Sequence, residues 1–144
     1  MNEDPVVICT QHLQEIGQAL AAYERDQGEL PHHLSDLYPE YLGDPAVFHC
    51  PADASSGGLP SWMSWFPGDP KLPVSYQYEF GLHTVTWDAA VSFSREPPAP
   101  GGTRRSLRQA ARRYFGERVP VVTCRHHSEE QLFVPLSGPV YRSR

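Results

Sequence analysis

The stretch CTQHLQEIGQALAAYERDQGELPHHLSDL, residues 9–37, decides the architecture. Cys9, Leu13, Ile16, Leu20 and Tyr23 recur at spacings of 4, 3, 4 and 3. A helix with about 3.6 residues per turn lines those positions up on one face. Gln11, Gln14, Glu15, Gln18 and Arg25 fall largely elsewhere and suit a solvated side. The spacing predicts a helix from Val6 to Gln27. Gly17 weakens it by ~1 kcal/mol relative to alanine, which marks a close approach of another backbone. Gly28 followed by Pro31 reads as a C-terminal stop. A second, short helix is expected at Leu34–Tyr38.

Beyond it, VFHCPAD (47–53) reads as a turn with a short extended lead-in, because Pro51 restricts Cys50 to extended geometry. Residues 54–73 form a long Gly- and Pro-rich loop in which Trp62, Trp65 and Phe66 are embedded. SYQYEFG (75–81) alternates as a strand does, HTVTWDAAVSFS (83–94) offers another, and REPPAPGG (95–102) is a surface loop. Thr103 is placed to cap a helix from Arg104 to Phe115. VPVVTC (119–124) and QLFVPL (131–136) read as strands, and VYR as an extended end. The expected fold class is α+β: the N-terminal helix packed on one face of a small antiparallel sheet containing 75–80, 119–124 and 131–136, with long loops, in a single domain over 1–144.

The 144 residues suffice for one domain with a core. No stretch reaches the roughly 18 apolar residues of a membrane span, and MNEDPVVIC does not read as a signal peptide. Net charge is −5, but the charges are segregated. Residues 1–53 carry ten acids against Arg25 alone, and residues 104–118 carry six arginines against Glu117. The simplest reading is two faces of one domain attracting each other weakly. Arg104, Arg105, Arg108 and Arg112 share a helix face. They are candidates for contact with phosphates or a protein, but in a net acidic chain a solvated face is favoured over nucleic acid. Trp62, Trp65 and Phe66 are candidate interface anchors, and pinning the loop to the domain is the equal alternative.

No phosphate-binding glycine loop, G-x-S-x-G or H-E-x-x-H occurs. The carboxylates form no pair suited to acid–base work. No enzyme activity and no cofactor are expected. Cysteines stand at positions 9, 50 and 124 without a C-x-x-C. If the segments of Cys50 and Cys124 meet, Cys50, Cys124, His126 and His127 offer thiols and imidazoles to a zinc ion, with His49 adjacent. The alternatives are a disulfide or buried thiols beside exposed histidines, and these are favoured over the metal.

Several local patterns occur in one order: C-x-x-x-L-x-x-I-G-x-A-L-x-x-Y (9–23), G-x-L-P (28–31), L-x-x-L-Y-P-x-Y-L-x-D-P (34–45), VFHCPAD, SYQY and VPVVTCRHH (119–127). Together they resemble the soluble head of bacterial type II secretion pseudopilin-like, or type IV pilin-like, proteins. His12 stands where that family commonly has Asn, and LSGPV (136–140) replaces its D-G-x-V ending. The resemblance implies a non-enzymatic structural or assembly subunit, or an adaptor. Its partners would be pilin-like neighbours or secreted cargo. The head would lie outside the cytoplasm, in the periplasm or at the cell surface. Membrane attachment would come only through an N-terminal helix that MNEDPVVI replaces. An extracytoplasmic head further implies a Cys50–Cys124 disulfide closing a loop of about 75 residues, with Cys9 a buried thiol on the apolar helix face. The rival is a stand-alone soluble protein-binding module using the aromatic loop 61–66 or the arginine helix 104–113.

Overall fold

The computed structural model describes residues 4–53, 69–82, 102–127, 130–135 and 138–143. The fold is α+β. Helix α1 (Pro5–Gln27) is followed by two short 3-10 turns, Leu34–Leu37 and Pro45–Phe48. Strand β1 (Gln77–Tyr78), helix α2 (Arg104–Phe115), β2 (Pro120–Cys124), β3 (Gln131–Pro135) and β4 (Tyr141–Ser143) complete it. The strands make one antiparallel sheet in the order β1-β2-β3-β4.

Local chemistry sets the limits of α1. The Asp4 side chain accepts from the Val6 amide at 2.8 Å, and Pro5 occupies the first turn, where its missing N–H costs nothing. Gly28 ends the helix at φ 84°, a left-handed conformation that favours glycine, and its amide bonds Glu24 O. Cys9, Leu13, Ile16, Ala19 and Leu20 are buried. Tyr23 is half-buried, its ring 5.3 Å from that of Tyr41. The periodic face is therefore core for its first three turns and looser toward its end.

Alternation along the strands gives the sheet two unlike faces. Tyr78 pairs with Val122, Val122 with Val134, and Cys124 with Leu132. These side chains share the face that packs on α1. Gln77 pairs with Thr123, Thr123 with Phe133, and Phe133 with Tyr141. They face the opposite way, where Arg104 and Arg108 of α2 reach Glu79. The sheet is thus covered on one side by an apolar helix face and on part of the other by an arginine-bearing one.

Gly17 does mark a close approach, but to a side chain. A Cβ there would lie 3.0 Å from Val134 Cγ1 on β3. Gly17→Ala gains helix propensity and loses packing, so its net effect on urea stability is expected within about 1 kcal/mol of zero. Gly17→Val should cost about 1–3 kcal/mol. Adding Val134→Ala should recover part of that loss, and strict additivity of the two changes would show that the residues do not meet.

Three local expectations change. The strand expected over 75–81 is two residues long. On the N-terminal side the backbone is committed elsewhere, the Ser75 amide bonding Phe48 O; on the other side the Glu79 amide still bonds Val121 O of β2, where the register of β2 shifts between Pro120 and Val122. The extended lead-in to Cys50 is confined to His49 (φ −110°, ψ 122°); before it stands a 3-10 turn over Pro45–Phe48, because Asp44 caps the Ala46 amide at 3.0 Å and Pro45 fixes the first turn. The arginine face of α2 is withdrawn from solvent at Arg104, Arg105 and Arg108 and stays open at Arg112. Arg104 and Arg108 are 0% exposed and Arg105 is 8% exposed. Among the described residues their partners include the Glu79 carboxylate, just after β1, and the carbonyls of Phe80, Leu30 and Pro31. The strand expected over 83–94 lies outside the described residues, as does most of the aromatic loop.

Candidate functional site

Three distant segments converge where α1, the turn after Phe48 and the end of β2 meet. Cys9 occupies the second turn of α1, on the same stripe as Leu13. Cys50 follows the 3-10 turn, and Cys124 ends β2 with its side chain on the α1 face of the sheet. His127 lies three residues further on. The three thiol sulfurs and one ring nitrogen of His127 all fall within 4.8 Å of one another. Cys50 Sγ is 3.6 Å from Cys124 Sγ and 3.6 Å from His127 Nε2. All three cysteines are 0% exposed and none is bonded to another.

The thiols share their protons. The Cys124 thiol donates to Cys50, which holds Cys50 low, aided by Cys9 and by the backbone N–H of Ala52. The same bond pushes Cys124 up. At Cys9, hydrogen bonding with Cys124 works downward, but the bond with Cys50 and burial outweigh it and push the thiol up to about 12. Tyr76 OH accepts from Cys9 Sγ at 3.7 Å, and burial pushes this phenol well above its ordinary value.

Beside this cluster sits a polar layer. Ser75 Oγ donates to Asp53 Oδ2 at 2.8 Å and lies 3.4 Å from His49 Nδ1. His126 Nε2 is 2.9 Å from Ser75 O, and His12 Nδ1 is 3.1 Å from His49 O. Serine, histidine and aspartate meet here, but not as a relay. In a nucleophilic triad the carboxylate orients the histidine, which takes the serine proton. Here the carboxylate itself accepts from a fully buried serine, which is therefore a pin between two loops.

The second polar cluster is internal to the other face of the sheet. Glu79, 1% exposed, receives Arg104 Nε at 2.6 Å, Arg108 Nε at 3.2 Å and Thr123 Oγ1 at 3.3 Å. Burial opposes its ionisation, but Arg104 and Arg108 hold its carboxyl below the usual 4.5. Arg105 donates to Phe80 O, Leu30 O and Pro31 O at 2.8, 3.0 and 2.6 Å. It ties α2 to the loop after α1.

Of the candidate residues, the fold joins Cys50, Cys124 and His127 and adds Cys9, which periodicity alone assigns to the core. His126 points instead to the Ser75 carbonyl. Arg104, Arg105 and Arg108 are withdrawn into the interior, leaving Arg112 exposed and paired with Glu117. Trp62, Trp65 and Phe66 lie outside the described residues. Two open grooves run along α1. One of about 350 Å³ is walled by Val6, Val7, Leu132 and Val140, the other of about 440 Å³ by Gly17, Ala21, Val134 and Val140. Among the described residues no helix is long and apolar enough to cross a membrane. No known protein family, curated protein or solved structure compared with the chain matches it.

Proposed function

We propose that the chain is a non-enzymatic assembly subunit or adaptor, similar to the heads of type II secretion pseudopilin-like and type IV pilin-like proteins. It would work outside the cytoplasm by binding other protein subunits. The observation that supports this reading is the double use of α1. Its Cys9–Leu20 stripe is core, while its first turns leave Val7 48% exposed at the wall of an open, largely apolar groove. A helix anchored by one face and open along its flank holds a head rigidly and still offers neighbours apolar area to bury. The resemblance of residues 9–53 in motif order adds the type of assembly.

A photo-crosslinking residue placed at Val7, with Glu24 near the other end of α1 as the control, tests this in the protein's own host. Crosslinks to other protein subunits are expected from position 7 well above those from position 24. Val7→Glu should suppress the assembly, while shifting urea stability by no more than about 0.5 kcal/mol, because the position is half open to solvent. Absence of any crosslink from position 7, or an assembly indifferent to Val7→Glu, would overturn the reading.

A further inference from the structure

We propose that Cys9, Cys50, Cys124 and His127 bind one zinc ion in a closed, tetrahedral site of three sulfurs and one nitrogen that locks α1, the turn after Phe48 and the sheet to one another. The site is independent of the assembly role. In a tetrahedron built on Zn–S bonds of about 2.3 Å and a Zn–N bond of about 2.0 Å, sulfurs stand about 3.8 Å apart and nitrogen about 3.5 Å from sulfur. The Cys50–Cys124 and Cys50–His127 separations are both 3.6 Å, and no pair of the four ligand atoms exceeds 4.8 Å. A covalent S–S bond needs about 2.05 Å. It would engage only two of the four groups and would leave a third thiol and an imidazole gathered there without a common role.

The donor set selects the ion. Three thiolates and an imidazole are soft and borderline ligands, suited to zinc and unsuited to magnesium or calcium. Four protein ligands with fully buried sulfurs leave no open position, which is the signature of a structural site. Local sequence supports the geometry. Cys124-x-x-His127 brings two ligands from one strand end. Tyr76 OH, now accepting from the Cys9 thiol, would turn its own proton toward the thiolate. Binding exchanges one zinc dication for the three thiol protons, and no electron moves. A Cys50–Cys124 disulfide, by contrast, requires an oxidant that removes two electrons.

The full chain, purified under reducing conditions without chelator or metal-affinity resin, should carry about one zinc per chain by elemental analysis. Stripped of metal while reduced and titrated with cobalt(II), it should show the d–d bands of a tetrahedral ion and a strong thiolate-to-cobalt charge-transfer band. Excess chelator should lower the melting temperature of the zinc-loaded chain. His127→Ala should keep the charge-transfer band and weaken zinc binding by at least about tenfold. His126→Ala, which touches the Ser75 carbonyl instead, should leave zinc content unchanged. Because Cys9→Ser sits in the core and risks misfolding, His127→Ala and His126→Ala carry the assignment. A reduced chain that keeps its helical circular dichroism yet takes up neither zinc nor cobalt overturns the site. So does loss of metal in His126→Ala with none in His127→Ala. If the isolated chain carries a Cys50–Cys124 disulfide, the reduced chain decides: cobalt uptake supports the site, and its absence overturns it.

Discussion

Replacing Glu79 with Gln is expected to cost about 3–5 kcal/mol of urea stability. The substitution keeps the shape of the side chain and removes only its charge. Two guanidinium groups, Arg104 and Arg108, each 0% exposed, would then lose a carboxylate with which both are paired. Removing one member of a buried ionic set is far more costly than the set's net worth, because the charge left behind keeps its desolvation penalty. Arg112→Ala on the same helix is the control. Its partner Glu117 is half in solvent, so the loss should stay within about 1 kcal/mol. A Glu79→Gln loss below about 1 kcal/mol would mean that groups other than Glu79 compensate the arginines.

The same carboxylate sets an acid limb. Its folded-state pKa is depressed below 4.5 by Arg104 and Arg108 acting against burial. The unfolded chain therefore binds the proton first as pH falls. The contribution is fully present above the ordinary carboxylate range and is lost progressively below it, toward the depressed folded value. Stability against pH should fall steeply below about pH 4.5 in the wild type. The fall should be shallower in Glu79→Gln, which has already lost that contribution. Parallel acid limbs would show that another group governs acid unfolding.

The arginines also show where sequence reading stops. A helix carrying Arg104, Arg105, Arg108 and Arg112 beside Leu107 and Ala111 has the pattern of a solvated amphipathic helix. What reverses it is Glu79, a single acid in a short extended segment 25 residues earlier, together with the carbonyls of Leu30 and Pro31 that accept from Arg105. No local rule pairs those segments. By contrast, α1 and the limits of α2 are legible, because a repeat of 3 and 4, a Gly28 stop followed by Pro31 and a Thr cap are local signals. The cysteine site falls between. Cys50, Cys124, His126 and His127 can be grouped as donors from the chain alone, but the chain does not choose between the two histidines; the fold does, by bringing His127 to the sulfurs and His126 to the Ser75 carbonyl. Cys9 is hidden by its own periodicity, since a cysteine four residues before Leu13 reads as core. It is core and potential ligand at once, which becomes visible only when β2 delivers Cys124 to the same face.

Leu20→Ala should lower urea stability by about 2–5 kcal/mol, with the midpoint shifted and the m-value unchanged. Leu20 is 2% exposed and stands on the stripe with Leu13 and Ile16, both 0% exposed. Truncation removes the transfer free energy of the lost methyl and methylene groups and leaves a void that the surroundings fill only in part. Where in the range the value falls depends on that collapse. The sheet side is pinned by its hydrogen-bonded register at Val122–Val134, and the helix side by close packing at Gly17, so little movement is available and the upper half is favoured. Leu20→Met, which conserves volume, should cost less than about 1.5 kcal/mol. Gln18→Ala, on the exposed face of the same turn, should stay within about 0.5 kcal/mol. A Leu20→Ala loss as small as that of Gln18→Ala would mean that the stripe is not the core of the isolated chain. The helix would then owe its order to a partner, and the packing of α1 on its own sheet would no longer stand as the basis of the fold.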